Sequence, residues 1–165
     1  MRTLLISLLT AVALIAQPAF ADDVDTAIEN FRGAGAGDFI DDAYGYAVFP
    51  SIGKGGIGIG GAHGKGEVFV GGKKVGKTKM SQITYGLQLG GQVYSQMIFF
   101  RDERAFDDFT SGNFEFGAQA TAVALTAGAQ ASTTSRSGMA TFTIAKAGLM
   151  FEAMLSGQKF KYEPL

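Results

Sequence analysis

The feature that most constrains the fold is a run in which glycine alternates with isoleucine, Gly56-Ile57-Gly58-Ile59-Gly60. Alternation at period two is the pattern of a β-strand, because successive side chains of a strand point to opposite faces. The run therefore predicts one face of isoleucine and one face of bare backbone. Glycine weakens a strand, so its repeated use here predicts close approach of another segment, strong bending or a bulge.

The same alternation predicts strands before and after this run. Residues 46–49 predict a strand that ends at Pro50, and Gly71-Gly72 is a two-residue hairpin signal between strands at 67–70 and 73–79. Residues 118–128 are small and alternating, and their composition fits a strand or a helix. The other predicted strands are 83–89, 94–100, 114–116, 141–145, 148–155 and 158–162.

Two segments have helical rather than strand periodicity. In residues 22–32, the apolar Val24, Ile28 and Phe31 are spaced by four and three, so they share one helical face. Acidic residues in the first turn of this segment suit the helix dipole. Three glycines at positions 33, 35 and 37 are predicted to end the helix, and residues 39–43 to add one helical turn. Residues 102–109 predict a short helix in the middle of the chain.

Many short strands with glycine turns and two helical pieces predict a mainly β domain. We expect a single antiparallel, strongly curved or barrel-like sheet, with an N-terminal helix and one short mid-chain helix. An α+β arrangement is the alternative.

The first 21 residues have the pattern of a secretory signal peptide. Arg2 precedes an apolar run at 4–15, and Ala19-Phe20-Ala21 is a small-x-small cleavage site. We therefore expect a periplasmic or secreted protein, cleaved near Ala21, whose residues 22–165 form one domain. The sequence contains no cysteine, which excludes disulfide and thiol chemistry.

Charge is strongly segregated along the chain, although the formal net charge is only −1. Residues 22–49 contain seven acids and one base, whereas residues 50–79 contain six lysines and one acid, Glu67. Such asymmetry bears on the choice of partner more than the net charge does. The six lysines are Lys54, Lys65, Lys73, Lys74, Lys77 and Lys79.

The lysines of the predicted hairpin allow two interpretations. Lys73, Lys77 and Lys79 have the same parity, so in a regular strand they would share one face. Three ammonium groups on one face would attract phosphate groups or an anionic bilayer. Lysine also protects exposed edge strands against aggregation, and the sequence leaves both interpretations open.

Two glycine patterns imitate nucleotide-binding motifs. Residues 71–78 match the phosphate-loop pattern GxxxxGKT, and residues 56–61 match GxGxxG. Both motifs require a following helix, but residues 81–91 alternate at period two and contain three glycines. A lysine-bearing hairpin is therefore favoured, and a nucleotide-phosphate-binding enzyme ranks third among the candidate functions.

Few residues offer the chemistry of a catalytic or metal site. His63 is the only histidine, and without cysteine or a second histidine neither a catalytic triad nor a zinc site can be assembled. We predict no catalytic residue, no metal ligand and no cofactor.

Several motifs, taken in their order along the chain, resemble the SYLF family. They are Tyr46-Ala47-Val48-Phe49-Pro50, the glycine-rich residues 54–61 and 64–70, Gly86-Leu87-Gln88-Leu89-Gly90-Gly91-Gln92, residues 106–109 and Ala147-Gly148-Leu149. The family includes lipid-binding, actin-associated proteins of yeast and animals and many exported bacterial proteins. The resemblance implies binding to membrane phospholipids, with phosphoinositides as ligands in eukaryotic members, and it offers no catalytic set.

Together these observations predict an exported, non-enzymatic phospholipid-binding domain. We expect the six lysines named above to contact anionic headgroups or a membrane surface, assisted by exposed apolar residues near the glycine run. No nucleic-acid partner is expected, and actin binding is not expected of an exported protein. The alternative is a structural or protein-interaction module of the cell envelope that has a protein partner and no lipid ligand.

Overall fold

The computed structural model describes residues 23–86, 91–117, 121–124, 138–147, 153–155 and 157–165. These residues form a seven-stranded sheet with a helical segment at the N-terminal end and one short helix, which confirms the predicted mainly β fold. The predicted signal peptide lies outside the described residues. Parts of the strands predicted at 83–89 and 148–155, and of the segment 118–128 that was predicted as strand or helix, also lie outside them.

In chain order the strands are β1 (Gly45–Val70), β2 (Lys73–Gly86), β3 (Gln92–Phe100), β4 (Thr121–Ala124), β5 (Met139–Ala147), β6 (Ala153–Met154) and β7 (Lys159–Pro164). They follow the spatial order β6-β4-β5-β3-β1-β2-β7. The described pairings are antiparallel except that of β4 with β5, which is parallel and departs from the wholly antiparallel sheet that we expected. The predicted strand at 114–116 is reduced to an isolated bridge between Glu115 and Lys159.

Strand β1 folds back on itself at the glycine run. A Cβ atom added at Gly45 would lie 2.5 Å from the carbonyl oxygen of Phe69, and one added at Gly66 would lie 2.5 Å from that of Val48. The start of the strand thus lies against its end, so its two halves run antiparallel. Gly56, with φ of +137°, lies in the bend between them. The predicted close approach and strong bending are both confirmed.

Pro50 does not end its strand, which corrects the sequence prediction. The pairing of β1 with β3 shifts register between Phe49 and Ile52, so Pro50 lies in a bulge, and the strand continues beyond it. A bulge tolerates proline because the missing N–H is not required by the ladder. The carbonyl oxygen of Pro50 accepts a hydrogen bond of 2.8 Å from the hydroxyl of Ser95.

The N-terminal helical segment is kinked by its glycines rather than ended by them. Helix α1 (23–31) continues through a π-helical stretch, Arg32–Ala36, into α2 (Gly37–Asp42). Gly35 lies at the kink, with a φ of 108° that a residue with a side chain rarely adopts. Helix α3 (Glu103–Thr110) begins one residue after the predicted start, and the Asp102 carboxylate caps it by accepting a 2.9 Å hydrogen bond from the Ala105 N–H.

Two apolar cores lie on opposite faces of the sheet. Neighbouring residues of β3 face opposite cores, because the ring of Phe99 packs against Phe39 of α2 whereas the ring of Phe100 packs against Phe106 of α3. The first core includes Phe31, Tyr46, Val48, Met97 and Phe142, and the second includes Phe49, Phe100, Phe109, Phe116 and Phe160.

Candidate functional site

The second half of β1 and most of β2 form a regular two-stranded ribbon with distinct faces. Pairing runs without a register shift from Gly58 opposite Gly86 to Val68 opposite Gly76. The odd-numbered residues of 59–67 and 77–83 therefore share one face. The even-numbered face packs into the core, where Val68 and Met80 are buried.

A row of three lysines crosses the odd-numbered face. Lys79 of β2 lies opposite Lys65 of β1 on one side and opposite Lys161 of β7 on the other. Because neighbouring strands are about 4.8 Å apart, this register places three ammonium groups side by side across three strands.

These lysines line a groove of about 870 Å³. Five lysines and two glutamates contribute to its lining, which leaves a formal excess of three positive charges. We call it the lysine groove, and its charged residues are Lys65, Lys74, Lys77, Lys79, Lys161, Glu67 and Glu163.

Glu67 is the internal counter-charge of the lysine groove. Its side chain is nearly buried, with the residue 7% exposed, and it accepts a 2.8 Å hydrogen bond from the Lys74 ammonium group. Lys77 of β2 lies directly opposite Glu67 of β1 on one side and opposite Glu163 of β7 on the other. The adjacent cross-strand row, Glu67, Lys77 and Glu163, therefore contains charges of both signs. The lysine row itself contains no acid.

A bulge decides which hairpin lysines enter the groove. Val68 pairs with Gly76 and Phe69 pairs with Lys74, so Val75 is left without a partner in the ladder. The extra residue reverses the alternation, which puts Lys74 on the groove face and Lys73 on the other. Our prediction that Lys73 shares a face with Lys77 and Lys79 is therefore wrong.

The carbonyl oxygen of the bulged residue, Val75, connects the C-terminal strand to the hairpin. The oxygen of Val75 accepts hydrogen bonds of 3.1 Å from the backbone N–H of Leu165 and from the Tyr162 hydroxyl. The Thr78 hydroxyl donates a 2.8 Å hydrogen bond to the backbone oxygen of Lys161. These contacts hold Lys161 in register beside Lys79.

The structure brings together four of the six predicted lysines. Lys54 lies on the first half of β1, where it pairs with Gln92 of β3, and burial lowers the pKa of its ammonium group. Lys73 lies at the hairpin turn, opposite Val70. The four that line the groove are Lys65, Lys74, Lys77 and Lys79. Lys161 was missed, because its place beside Lys79 depends on pairing between distant parts of the chain.

Lys77 and Lys79 do not lie on a sheet edge. Strand β2 pairs with β1 on one side, and its residues 76–81 pair with β7 on the other. Protection of an exposed edge therefore does not explain these two lysines, although sequence alone left that interpretation open.

Residues 71–78, which match the phosphate-loop pattern, form the hairpin turn and the start of β2, as we favoured. Gly71 and Gly72 form the turn with φ values of 60° and 79°, which suit a tight two-residue hairpin. Strand β2 follows, where a nucleotide-binding loop would be followed by a helix. The second match, residues 56–61, lies in the bend of β1.

The described part of the chain contains neither a metal-binding cluster nor a membrane-spanning helix. No group of three or more His, Asp or Glu side chains there could hold a metal ion. No helix in those same residues is long and apolar enough to cross a membrane.

Comparison with known families agrees with the resemblance. The family described as "Ysc84: Las17-binding protein actin regulator" matches residues 81–163, just over half of the chain. The chain belongs to the SYLF (Ysc84) family. The SYLF match begins within β2 and ends in β7, so it includes Lys161 but not the groove lysines of β1 and early β2.

One relative is a bacterial protein named beta cell expansion factor A, from Aeromonas veronii. It is 35% identical over 123 residues, which cover 73% of this chain and 46% of that protein. The SYLF chain described here thus spans less than half the length of that relative.

Proposed function

We propose that this SYLF-family chain is an exported, non-enzymatic domain that binds anionic phospholipid headgroups in the lysine groove. The observation that carries the proposal is the row formed by Lys65, Lys79 and Lys161, which has no acid within it. A lysine near an anionic membrane surface contributes about 1 kcal/mol of attraction. SYLF membership is consistent with lipid binding.

The register of the row favours an anionic ligand over a purely structural role. Like charges placed directly opposite each other on neighbouring strands destabilise a sheet. Lys79 has such a neighbour on both sides. The nearest buried acid, Glu67, is hydrogen-bonded to Lys74 in the adjacent part of the groove. An arrangement that costs folding stability is readily explained if a bound phosphate neutralises it.

Export is part of this proposal because residues 1–21 have the pattern of a signal peptide. An exported protein would not meet the cytoskeleton, so we do not propose actin as a partner. Actin regulation is therefore a description of the family and is not proposed for this chain.

The proposal is tested by co-flotation with vesicles of neutral phosphatidylcholine and vesicles containing anionic phosphatidylglycerol, at low and high salt. We expect binding to the anionic vesicles alone, weakened by salt, because exposed charges are screened. Lys79→Glu should weaken this binding roughly tenfold or more, since two lysines then face a carboxylate. Arg104→Glu is the matched control, because Arg104 is exposed on α3, which packs on the opposite face of the sheet.

Other outcomes would support other functions. Salt-resistant binding to both kinds of vesicle would place the lipid site on an apolar surface and contradict the groove. Absence of binding to either would favour the envelope protein-interaction module. Nucleotide hydrolysis that disappears in Lys77→Ala would support the phosphate-loop enzyme instead.

A further inference from the structure

The odd-numbered face of the ribbon changes from basic to apolar along its length. Among the residues whose side chains the structure describes, Ile59 and Ile83 are large apolar side chains exposed on this face, at 68% and 66%. They belong to the same odd-numbered series as Lys65 and Lys79, because pairing between them has no register shift. The apolar and basic side chains are therefore presented to the same side.

The two isoleucines lie at the end of the ribbon that extends beyond β7. Strand β7 pairs with residues 76–81 of β2, so residues 82–86 continue past it. Ile83 lies opposite Gly61, and Ile59 lies on the same strand as Gly61, two residues nearer the bend of β1. An isolated exposed isoleucine needs no explanation, but these two are neighbours on one projecting surface.

The order along this face matches the order of layers in a bilayer. Ile83 is four residues from Lys79, which corresponds to about 13 Å along the strand. The polar headgroup layer on each side of a bilayer is about 5–8 Å thick. If the lysine row lies at the level of the phosphates, a ribbon directed into the membrane therefore carries its isoleucines past the headgroups.

We propose that the end of the ribbon inserts into the interface of an anionic bilayer, with Ile59 and Ile83 below the headgroups and the lysine row at the phosphates. This inference rests on the proposed function and deepens it, because it assigns the orientation and depth of the bound domain. Charge complementarity selects the occupant: an apolar end beside a row of three lysines fits an anionic lipid surface better than an apolar protein groove.

The sequence offers a clean probe of this insertion because it contains no tryptophan. We would make Ile83→Trp in the chain expressed with its own N-terminus and purified as the host processes it. On addition of phosphatidylglycerol vesicles, the tryptophan emission should shift to the blue and be quenched by lipids brominated in their acyl chains. Asn113→Trp is the control, since Asn113 is exposed after α3, outside the ribbon, and its probe should stay unquenched.

A second variant measures the contribution of the apolar end to affinity. Ile59→Ser combined with Ile83→Ser should weaken partitioning onto phosphatidylglycerol vesicles about tenfold, because partial burial of two isoleucines is lost. The salt dependence of binding should persist, since the lysine row is intact. Thermal melts would verify folding, which surface substitutions of this kind seldom disturb.

The outcomes separate the insertion from the proposed function. An unquenched tryptophan at position 83, on vesicles that still bind in a salt-sensitive and Lys79-dependent way, would overturn the insertion and leave the headgroup groove standing. Unchanged partitioning of the double serine variant would overturn it too. If no variant binds anionic vesicles and neither does the original chain, the proposed function fails and the insertion fails with it.

Discussion

Lys79 of β2 lies directly opposite Lys65 of β1 in a continuous antiparallel pair. Lys161 occupies the equivalent place on the other side of Lys79. Repulsion within this row opposes folding, whereas attraction to an anionic surface uses the same charges. Stability and binding should therefore respond in opposite directions when the row is changed.

The first prediction is that Lys79→Glu stabilises the fold while it weakens vesicle binding. A glutamate between two lysines turns two repulsive cross-strand pairs into attractive ones, each contributing about 0.2–1 kcal/mol. Urea denaturation at low salt should show a higher free energy of unfolding. The gain should shrink at high salt, because the pairs are exposed and screened.

Arg104→Glu is again the control, and its free energy of unfolding should change by less than about 0.5 kcal/mol. A loss of stability in Lys79→Glu would contradict the register of the three lysines. Equal stabilisation by the control would point to a general effect of net charge.

The second prediction concerns Glu67, whose carboxylate is nearly buried and accepts a hydrogen bond from Lys74. Glu67→Gln keeps the shape of the side chain but removes its charge, so the free energy of unfolding should fall. The loss should be only about 1 kcal/mol, because Lys74 is partly exposed and solvent screens its interaction with Glu67. Affinity for anionic vesicles should rise about fivefold, since the excess charge of the groove grows by one. A fall in stability without a change in vesicle binding would assign Glu67 a structural role alone.

Local patterns were sufficient to predict the hairpin and the short helix. The glycine pair at 71–72 and the aspartate at 102 act on neighbouring residues, through backbone conformation and a capping hydrogen bond respectively. The bend of β1 was also indicated locally, by the glycine run itself, because a Cβ atom added at Gly56 would clash with the Cα atom of Gly60. In each case the physical cause lies within a few residues of the structure that it produces.

Which lysines line the groove could not be predicted from such local patterns. Lys161 joins it because β7 pairs with β2, a contact between distant segments that no local pattern encodes. Lys74 replaces Lys73 because Val75 forms a bulge, and parity arguments assume a regular strand. The bulge is stabilised by Tyr162, which again belongs to the distant strand.

The third prediction tests the fold-back of β1. Gly66→Ala would place a methyl group 2.5 Å from the carbonyl oxygen of Val48, a backbone atom that cannot move aside cheaply. We expect a loss of about 3 kcal/mol in the unfolding free energy, at the upper end of overpacking costs. Gly53→Ala is the matched control in the same strand, since nothing lies within 4 Å of its added Cβ.

The control should be neutral or slightly stabilising, because alanine restricts the unfolded chain more than glycine does. Equal effects of the two substitutions in chemical denaturation would mean that the halves of β1 do not approach as described.

The fourth prediction is a dependence of stability on alkaline pH through Tyr94. This residue is 2% exposed, and burial raises the pKa of its phenol to about 12, against the smaller opposing effect of the hydrogen bond that the Gln158 amide donates to it. An unfolded tyrosine ionises near pH 10. Between pH 10 and 12 the unfolded chain therefore releases this proton while the folded chain keeps it, so stability falls as pH rises.

Tyr94→Phe removes this proton, so the difference in unfolding free energy between the original chain and the variant should change by about 1 kcal/mol per pH unit across that window. The comparison cancels every contribution that the two proteins share. Some alkaline destabilisation should remain in the variant, because burial also raises the pKa of Tyr46 and of Tyr162. Parallel pH profiles from denaturation at pH 9 to 12 would show that the Tyr94 phenol ionises as readily in the folded chain as in the unfolded one.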